Sequence, residues 1–365
     1  MTTQPTQPDL LYSEAEDDLR AAVRSLLTER SDTASLLVRA EAGTPYDPEL
    51  WKALAGNMGA AGLLVPEKLG GQGASHREAA VVLEELGRAV TPIPYLTSSV
   101  IATTTLLDLD VESTEVATLI HQLATGAKTA VLAVPLSASP RGPLPFDAPR
   151  ITGVADAPVA DVFLLLRSDG LYALGRADVT VEALTPLDLT RPLSAVTTGD
   201  TAGATRLADA PVAERAVRRG LLAGAALLAS EQLGVAEWCL QETVRHTRER
   251  HQFNRPIGSF QALKHRMAQL WLAVVSARAA ARNAADALAT DSPEAPLAAS
   301  LAQAYASRVA VHAAEECVQL HAGIGMTWEH PAHLYLKRAK ADEIALGTPG
   351  RHKDTLAELV GLQAP

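Results

Sequence analysis

Two long helical patterns are joined by the segment Arg250-His251-Gln252-Phe253-Asn254-Arg255-Pro256-Ile257-Gly258-Ser259-Phe260-Gln261. It combines a helix end, a turn with proline and glycine, and the start of a new helix. Planar cations, side-chain amides and aromatic rings are concentrated at this corner. An arginine fork suits bidentate contact with phosphate, and amides can read the edges of a nucleotide. Taken alone, however, such a segment is more often a polar helix–helix turn than a ligand site.

Long helices are predicted on both sides of this stretch. Sequences rich in Ala, Leu, Glu and Arg predict helices over residues 214–250, 259–290 and 297–322, with shorter ones near 331–346 and 352–362. Because the connections are short, we expect these helices to pack as an antiparallel four-helix bundle. Ala and Leu occupy more than one helix face, which predicts that further apolar surface is buried in an oligomer.

A second cluster, Gln319-Leu320-His321-Ala322-Gly323-Ile324-Gly325-Met326-Thr327-Trp328-Glu329-His330-Pro331, follows about 70 residues later. Here a helix ends in small residues, which let another backbone or a ligand come close. The glycines do not form a G-x-G-x-x-G fingerprint and no strand precedes them, so a Rossmann dinucleotide site is not supported. By itself this cluster predicts a helix C-cap followed by a loop.

The part of the chain before the bundle falls into two regions. Helical patterns cover residues 14–28, 48–57, 76–90 and 95–107. Short β-branched or aliphatic runs follow at 129–135, 162–166, 171–174 and 179–184, and their spacing predicts a small antiparallel sheet or barrel. We therefore expect an N-terminal helical domain over 1–127, a central β-domain over 128–212 and the helical bundle over 213–365.

Composition excludes several classes of function. The 365 residues carry a formal net charge of -10, whereas nucleic acids and anionic membranes attract basic surfaces. Residues 1–8 lack the basic start and apolar run of a secretory signal, and no apolar run approaches the ~20 residues of a membrane span. We therefore expect a cytoplasmic protein without nucleic-acid or membrane partners, in which Cys239 and Cys317 are buried free thiols.

Neither a metal site nor a hydrolytic site is predicted from residue spacing. The histidines of the bundle region form no motif such as H-E-x-x-H. They are His246, His251, His265, His312, His321, His330 and His333. No G-x-S-x-G nucleophile elbow is present either.

Together, in this order and at this spacing, the two clusters resemble the C-terminal domain of acyl-CoA dehydrogenases. That family carries an R-x-Q-F-G-x-P-I-x-x-x-Q turn and, later, a Q-x-x-G-G-x-G loop. Further stretches agree with the family: Leu50-Trp51, Gly62-Leu63-Leu64-Val65-Pro66-Glu67, Gly70-Gly71-Gln72-Gly73, Glu84-Glu85-Leu86-Gly87-Arg88 and Leu187-Asp188-Leu189-Thr190-Arg191. The resemblance implies the family's fold, which is mainly α with a small central β-domain between an N-terminal helical domain and a C-terminal four-helix bundle.

The resemblance also implies a chemistry and a cofactor. Enzymes of this family remove a proton from Cα and a hydride from Cβ of an acyl-CoA thioester, with a glutamate as base and FAD as hydride acceptor. Each flavin is held by two subunits, because its ring lies on one subunit's β-domain and its ADP portion reaches a neighbour. By resemblance, the FAD-binding residues here are Arg250, Gln252, Phe253, Gln261, Gln319, Gly323 and Thr348. Asn254 replaces the glycine of the turn motif, and Ala322 replaces the first glycine of the later pair.

This sequence differs from the family at the positions that hold the flavin ring and the catalytic base. Residues 132–139 contain neither the acidic residue nor the glycine of the family's flavin segment. The usual base precedes a Gly-Thr pair, and here Leu346 precedes Gly347-Thr348. The base position used by a minority of the family aligns with Gly224. Neither residue can move a proton, and losing a general base typically costs ~10²–10⁴ in rate.

Three carboxylates remain as unconventional candidates for the base, and each also has a structural interpretation. Glu231 lies in the middle of a helix, where it is expected to be a helix-packing acid. Glu329 follows Trp328 in a loop, where it is expected to act as a cap or to pair with Arg338. Glu343 is expected to face solvent one turn before the usual base position.

The chain keeps the residues that contact a neighbour's FAD and departs from the family at its own flavin segment and base. In this it resembles the partner subunit of heteromeric α₂β₂ acyl-CoA dehydrogenases of bacterial steroid side-chain breakdown. Three hypotheses follow from this resemblance. The chain is a subunit that completes the FAD site of a homologous catalytic partner, with acyl-CoA as substrate. Alternatively, it is a homomeric acyl-CoA dehydrogenase with a displaced base, or a flavin-free scaffold or binding subunit.

Overall fold

A computed structural model describes residues 10–30, 33–199 and 204–362. Residues 1–8, for which no secretory signal is predicted, lie outside these ranges. The fold is mainly helical with a small β-domain in the middle of the chain, so the predicted fold class is confirmed. None of the helices in the described ranges is long and apolar enough to cross a bilayer.

The N-terminal part is helical and packs around one apolar core. Its elements are α1 (Glu14–Arg30), α2 (Thr33–Glu41), α3 (Pro48–Trp51) with a π-helical extension (Lys52–Asn57), α4 (His76–Arg88), a π-helix (Tyr95–Ala102) that leads into α5 (Thr103–Leu107), and α6 (Thr114–Ala124). A capping box starts α4, because the Ser75 hydroxyl accepts the Arg77 N–H while Glu78 accepts the Ser75 N–H. The sequence pattern did not predict α2 and α6, since short helices give weak periodic signals.

The β-domain consists of two sheets rather than one. Its strands are β1 (Ala130–Leu132), β2 (Arg150–Ala155), β3 (Val162–Arg167), β4 (Gly170–Gly175), β5 (Val179–Ala183), β6 (Leu193–Thr198) and β7 (Thr205–Asp209). The strand orders are β1-β3-β4-β7 and β2-β6-β5. The prediction of a purely antiparallel sheet is wrong for one pair, because β1 and β3 run parallel. The long connection between them, which includes β2 in the other sheet, permits this pairing.

Strand β3 shows how the β-domain joins the rest of the molecule. Leu164 and Leu166 pack into the main helical core, whereas Phe163 and Leu165 pack into a second core between the two sheets. Because successive side chains of a strand point to opposite faces, one apolar strand serves both cores. This double burial explains why its sequence is continuously hydrophobic instead of alternating.

The C-terminal part is a bundle of long helices. Its elements are α7 (Ala210–Glu249), a hairpin of β8 (His251–Gln252) and β9 (Arg255–Pro256), α8 (Gln261–Ala289), α9 (Ala295–His321), α10 (Ala332–Ile344) and α11 (Pro349–Leu359). Helices α7, α8 and α9 pack against one another, while α10 and α11 pack on α9. The predicted boundaries of the three long helices differ from these by a few residues.

Helix α7 also packs closely against α4. A Cβ atom on Gly234 would lie 1.9 Å from the carbonyl oxygen of Glu84, which no side chain could occupy. Gly87 meets the backbone of Glu231 in the same way, with a Cβ atom 2.0 Å from its carbonyl oxygen. Glycine at both positions therefore lets the two helix backbones touch, and this contact holds the N-terminal domain against the bundle.

A buried ionic network connects the β-domain to the bundle. Arg338 on α10 donates to Asp188 (2.5 Å) and to Glu231 on α7 (2.5 Å). Arg191 donates to Asp342 (3.0 Å) and also to Glu231. Three carboxylates thus face two guanidinium groups away from water, so one carboxyl group is left without a full counter-charge. Burial accordingly raises the pKa of Asp342 to about 8.

Candidate functional site

The two family positions for a catalytic base meet at one point inside this molecule. Gly224 lies in the first half of α7, and Leu346 follows the end of α10. A Cβ atom on Gly224 would lie 3.1 Å from Cδ1 of Leu346 and 2.7 Å from Cγ1 of Ile101. Both positions therefore face the same space, and neither supplies a carboxylate there.

The space between these positions is nearly closed. A cavity of about 20 Å³ remains, which is room for about one water molecule, whereas ligand pockets typically measure ~300–1,000 Å³. Its lining consists of Thr97, Ile101, Leu132, Val134, Pro135, Leu136, Ala155, Leu221 and Leu346. None of these side chains is ionisable in the physiological range, so the lining offers no acid or base.

The segment that aligns with the family's flavin segment closes this cavity. The backbone N–H of Leu346 donates to the carbonyl oxygen of Leu136 at 2.7 Å. The N–H of Leu136 donates to Gly153 at 2.8 Å, which attaches the segment to β2. Leu346 adopts a left-handed conformation, with φ of 54°, to make this contact. Leu346 thus fills the cavity and is held there by the same segment.

The predicted flavin-contacting turn, in contrast, stands out from the end of the bundle. Arg250 follows α7, and Gln252 and Phe253 belong to the β8–β9 hairpin; all three are exposed, Phe253 by 86%. Phe253 (φ 53°) and Asn254 (φ 59°) form the left-handed centre of the turn. Asparagine tolerates this conformation well, so Asn254 can stand where the family motif has glycine. Gln261, the first residue of α8, is exposed beside the hairpin.

The second predicted cluster lies at the same end of the bundle. Gln319 and Gly323 are exposed at the end of α9, and no atom lies within 4 Å of where a Cβ of Gly323 would be. The ring of His321 on α9 contacts that of His246 in the last turns of α7, with ring centroids 4.2 Å apart. The fold therefore brings the two clusters together into one exposed surface, called here the platform (250–261 and 319–323).

Two further positions bear on the platform. Ala322 has φ of 53° and ψ of -134°, a backbone conformation that favours glycine, and the family motif has glycine there. Thr348 is not part of the platform contacts described above. Its hydroxyl accepts the N–H of Arg351 (3.4 Å) and so caps α11.

Family comparisons agree with this geometry. The N-terminal domain of acyl-CoA dehydrogenases matches residues 13–109, and their C-terminal domain matches residues 214–361. The "Acyl-CoA dehydrogenase IpdE2" of Mycolicibacterium smegmatis is 38% identical over 338 residues, which cover 92% of this chain and 96% of that protein. The chain belongs to the acyl-CoA dehydrogenase family.

Solved structures of the family share the whole fold. A chain of the ChsE4-ChsE5 complex from Mycobacterium tuberculosis superposes with a TM-score of 0.83 and 25% identity, covering 98% of this chain and all (100%) of that one. Butyryl-CoA dehydrogenase from Megasphaera elsdenii gives a TM-score of 0.82 at 18% identity, covering 97% and 100% of the two chains, and this likeness concerns the fold alone.

In this acyl-CoA dehydrogenase fold, the three carboxylates considered as unconventional bases lie in different surroundings. Glu231 is buried, as expected of a helix-packing acid, and its carboxylate accepts from Arg191 and Arg338. Glu329 is exposed, and the expected pairing with Arg338 is wrong, because Arg338 is buried with Asp188 and Glu231. Glu343 on α10 is half-buried rather than fully solvent-facing. None of the three lines the closed cavity.

One buried carboxyl group near the cavity was not among the predicted candidates. Asp156 follows β2 and accepts a hydrogen bond from the hydroxyl of Thr97 at 2.7 Å, and Thr97 lines the cavity. Burial raises the pKa of Asp156, while the bond from Thr97 opposes that shift. No local motif signalled this residue, because its relation to Thr97 arises from a contact across 59 positions of the chain.

A wider cleft runs along the other side of residues 132–139, the segment that aligns with the family's flavin segment. It measures about 540 Å³ and is lined by residues that include Pro135, Ser137, Gly153, Ile344 and Ala345. Most of this lining is apolar, and Arg191 and Lys340 contribute cationic groups. The cleft is of ligand size, so the chain has an open space next to the closed base position.

Proposed function

We propose that this chain is a subunit of a heteromeric acyl-CoA dehydrogenase and completes the FAD site of a homologous catalytic partner. The observation that carries the proposal is that the positions of Gly224 and Leu346 meet, beside a cavity of only about 20 Å³ whose lining has no ionisable side chain. A subunit built in this way can neither remove the Cα proton nor enclose an acyl chain at that point. The acyl-CoA is therefore bound and oxidised in the partner subunit.

The platform supplies what the partner's site requires. The exposed guanidinium of Arg250 can bind a phosphate of FAD through two parallel hydrogen bonds, and the amides of Gln252 and Gln319 can orient the nucleotide. Gly323 leaves the backbone open to close approach. FAD, when bound, accepts the hydride, while the residues of this chain hold the cofactor's ADP end in place.

A comparison with a relative supports the heteromeric arrangement. The ChsE4-ChsE5 structure, one chain of which covers 98% of this chain, is a complex of two different proteins. An acyl group of the steroid side-chain type and a cytoplasmic location stay predictions from the sequence.

The flavin content of the purified chain tests the proposal. Alone, the chain should show no flavin absorbance and no acyl-CoA oxidation. Co-purified with a homologue that carries the catalytic glutamate, it should form a complex with one flavin for each pair of chains. A full complement of flavin in the chain alone, with acyl-CoA oxidation at ordinary rates, would overturn the proposal.

Two arginine variants locate the contact on the platform. Arg250→Ala should empty the complex of flavin, because a bidentate charged contact with phosphate is lost. Arg255→Ala, in the same hairpin, is the matched control, since its guanidinium lies 3.9 Å over the Phe260 ring and it is not one of the predicted FAD-binding residues. Equal flavin loss in both variants would indicate a misfolded hairpin and not a lost cofactor contact.

One observation favours a second candidate, a homomeric flavoprotein with a displaced base. The cleft of about 540 Å³ beside residues 132–139 has the size of a ligand site. Asp156 supplies a buried carboxyl group that accepts from Thr97, a residue of the smaller cavity. Flavin bound by the chain alone, with acyl-CoA oxidation that is lost on substitution of Asp156 by Asn, would favour this candidate.

A further inference from the structure

Three side chains with metal-ligating atoms meet beneath the platform. Glu242 lies on α7, His321 is the last residue of α9, and His330 precedes α10. Their ligand atoms all lie within 4.8 Å of one another. Nε2 of His330 is 3.3 Å from Oε1 of Glu242, and Nε2 of His321 is 3.7 Å from the same oxygen.

His321 is arranged as a metal ligand. Its side chain is fully buried, and its Nδ1–H donates to the carbonyl oxygen of Cys317 at 2.6 Å. That bond fixes the tautomer and leaves the lone pair of Nε2 directed toward Glu242 and His330. Among the described residues, Nε2 has no hydrogen-bond partner. A buried acceptor without a donor is costly, so this atom calls for a ligand.

Two of the three separations between the ligand atoms match those around a small divalent ion, and the third is within 4.8 Å. Zn²⁺ with bonds of about 2.0–2.1 Å in tetrahedral geometry places neighbouring ligand atoms ~3.4 Å apart. The separations of 3.3 Å and 3.7 Å from Oε1 of Glu242 are close to that value. Two imidazoles and one carboxylate also form a donor set that zinc accepts, with the fourth position open.

The surroundings orient the ligand atoms of the cluster. Arg245 donates to both oxygens of the Glu242 carboxylate, through Nε to Oε2 at 2.9 Å and through Nη2 to Oε1. His330 accepts the N–H of Ala332 at Nδ1, at 3.2 Å, so its Nε2 carries the hydrogen when the ring is neutral. Binding at Nε2 of His330 gives up this long hydrogen bond and moves the hydrogen to Nδ1.

We propose that Glu242, His321 and His330 form a binding site for a divalent transition-metal ion of the zinc type, with water in the fourth position. The site is independent of the proposed function, since it requires neither FAD nor a partner chain. Its ion would join α7, the end of α9 and the loop before α10, and so fix the backbone around Gly323. No local motif predicts the site, because Glu242 and His330 are 88 positions apart.

Metal binding to the full chain tests this assignment. The chain is purified without a histidine tag, stripped with EDTA, and titrated with Zn²⁺ while heat of binding and thermal unfolding are recorded. One ion per chain and a rise in the unfolding temperature are expected. Co²⁺ in place of Zn²⁺ should show the visible absorption bands of a tetrahedral site.

Three variants separate the site from the other histidines of the chain. Glu242→Gln and His330→Asn should each weaken Zn²⁺ binding by more than about 100-fold, because loss of a ligand exceeds the cost of losing its supporting contacts. His312→Asn, which removes an exposed histidine elsewhere on α9, should bind like the unaltered chain. Absence of saturable binding in the unaltered chain, or unchanged affinity in both His330→Asn and Glu242→Gln, would overturn the assignment.

Discussion

Two regions of α7 have opposite properties. Around Gly224, a region called here the closed end, the helix meets Leu346 beside a small apolar cavity. Just beyond the C-terminus of the helix, called here the exposed end, Arg250 and the hairpin that follows are exposed to solvent. At 1.5 Å per residue the two points are ~39 Å apart along the helix. One helix therefore contributes both to the small cavity beside Leu346 and to the exposed platform.

The contrast extends beyond the two aligned base positions. At the closed end, Leu346 occupies the cavity, and the backbone of residue 136 accepts its N–H at 2.7 Å. At the exposed end, Arg250, Gln252 and Gln319 of the family motifs are exposed. Groups that are exposed and unpaired within one subunit are available to another, which is the basis of the proposed role.

The largest effect is expected from opening the closed end. Leu346→Ala should lower the free energy of unfolding by about 2–5 kcal/mol, because it removes a buried side chain and leaves a cavity. Leu346→Met, which nearly conserves volume, should cost less than about 1.5 kcal/mol. Urea denaturation of both variants measures the difference. Equal stability of the two variants would show that the cavity is not closed in solution.

A pH-dependent effect is expected from the ionic network behind the closed end. The pKa of Asp342 is raised to about 8 in the folded chain, whereas an unfolded aspartate titrates near ~3.9. Between these two pH values unfolding releases this proton, so the contribution of Asp342 to stability falls as pH rises, by up to about 1.4 kcal/mol per pH unit.

Substitution of this carboxyl group by an amide removes that dependence. Asp342→Asn should therefore gain stability relative to the unaltered chain when the pH is raised from 5 to 8, as measured by thermal unfolding. Asp291→Asn is the control, because Asp291 is exposed beside Arg219 and its pKa is lowered. Its stability difference should be the same at both pH values. A constant difference for Asp342→Asn as well would show that Asp342 is ionised throughout.

A smaller effect, a gain in the free energy of unfolding, is expected from a substitution at the exposed end. Ala322→Gly should stabilise the chain by about 1 kcal/mol, because Ala322 holds a backbone conformation that favours glycine. Thermal unfolding measures this gain, and Gly323→Ala serves as the opposite substitution at the neighbouring position. A loss of stability in Ala322→Gly would mean that flexibility of the unfolded chain outweighs the relieved strain.

The smallest effect on stability, with a separate effect on assembly, is expected from Phe253→Ala. Since Phe253 is 86% exposed, unfolding should change by less than about 0.5 kcal/mol. Affinity for the catalytic partner should fall about tenfold or more, because aromatic side chains often dominate interfaces. Phe146→Ala, an exposed phenylalanine outside the platform, should leave assembly unchanged. Unchanged assembly in both variants would place the interface elsewhere.

The fold could largely be predicted because its signals are local. The periodicity of the three long bundle helices and the cap before α4 depend on residues that are close together in the sequence. The parallel pairing of β1 with β3 could not be predicted, since it depends on where β2 lies after the chain leaves the first sheet. Short elements such as α6 were missed for lack of enough turns to show a period.

Only the residues of the candidate site that belong to sequence motifs could be predicted. The residues of the platform were predicted from their order and spacing, and two aligned positions without a carboxylate were identified from the sequence. That Gly224 and Leu346 touch, and that residues 132–139 close over them, depends on contacts between distant parts of the chain. The same holds for Asp156 beside Thr97 and for the cluster of Glu242 with two histidines.

The length of α7 has a consequence for how such a subunit can evolve. Its 40 residues form one continuous helix, about 60 Å long, and a substitution near Gly224 lies some seven turns from Arg250. Changes that abolish chemistry at one end therefore leave the shape of the other end intact. Under the proposed function, the continuous helix lets catalysis and cofactor sharing be inherited and altered separately after a gene duplication.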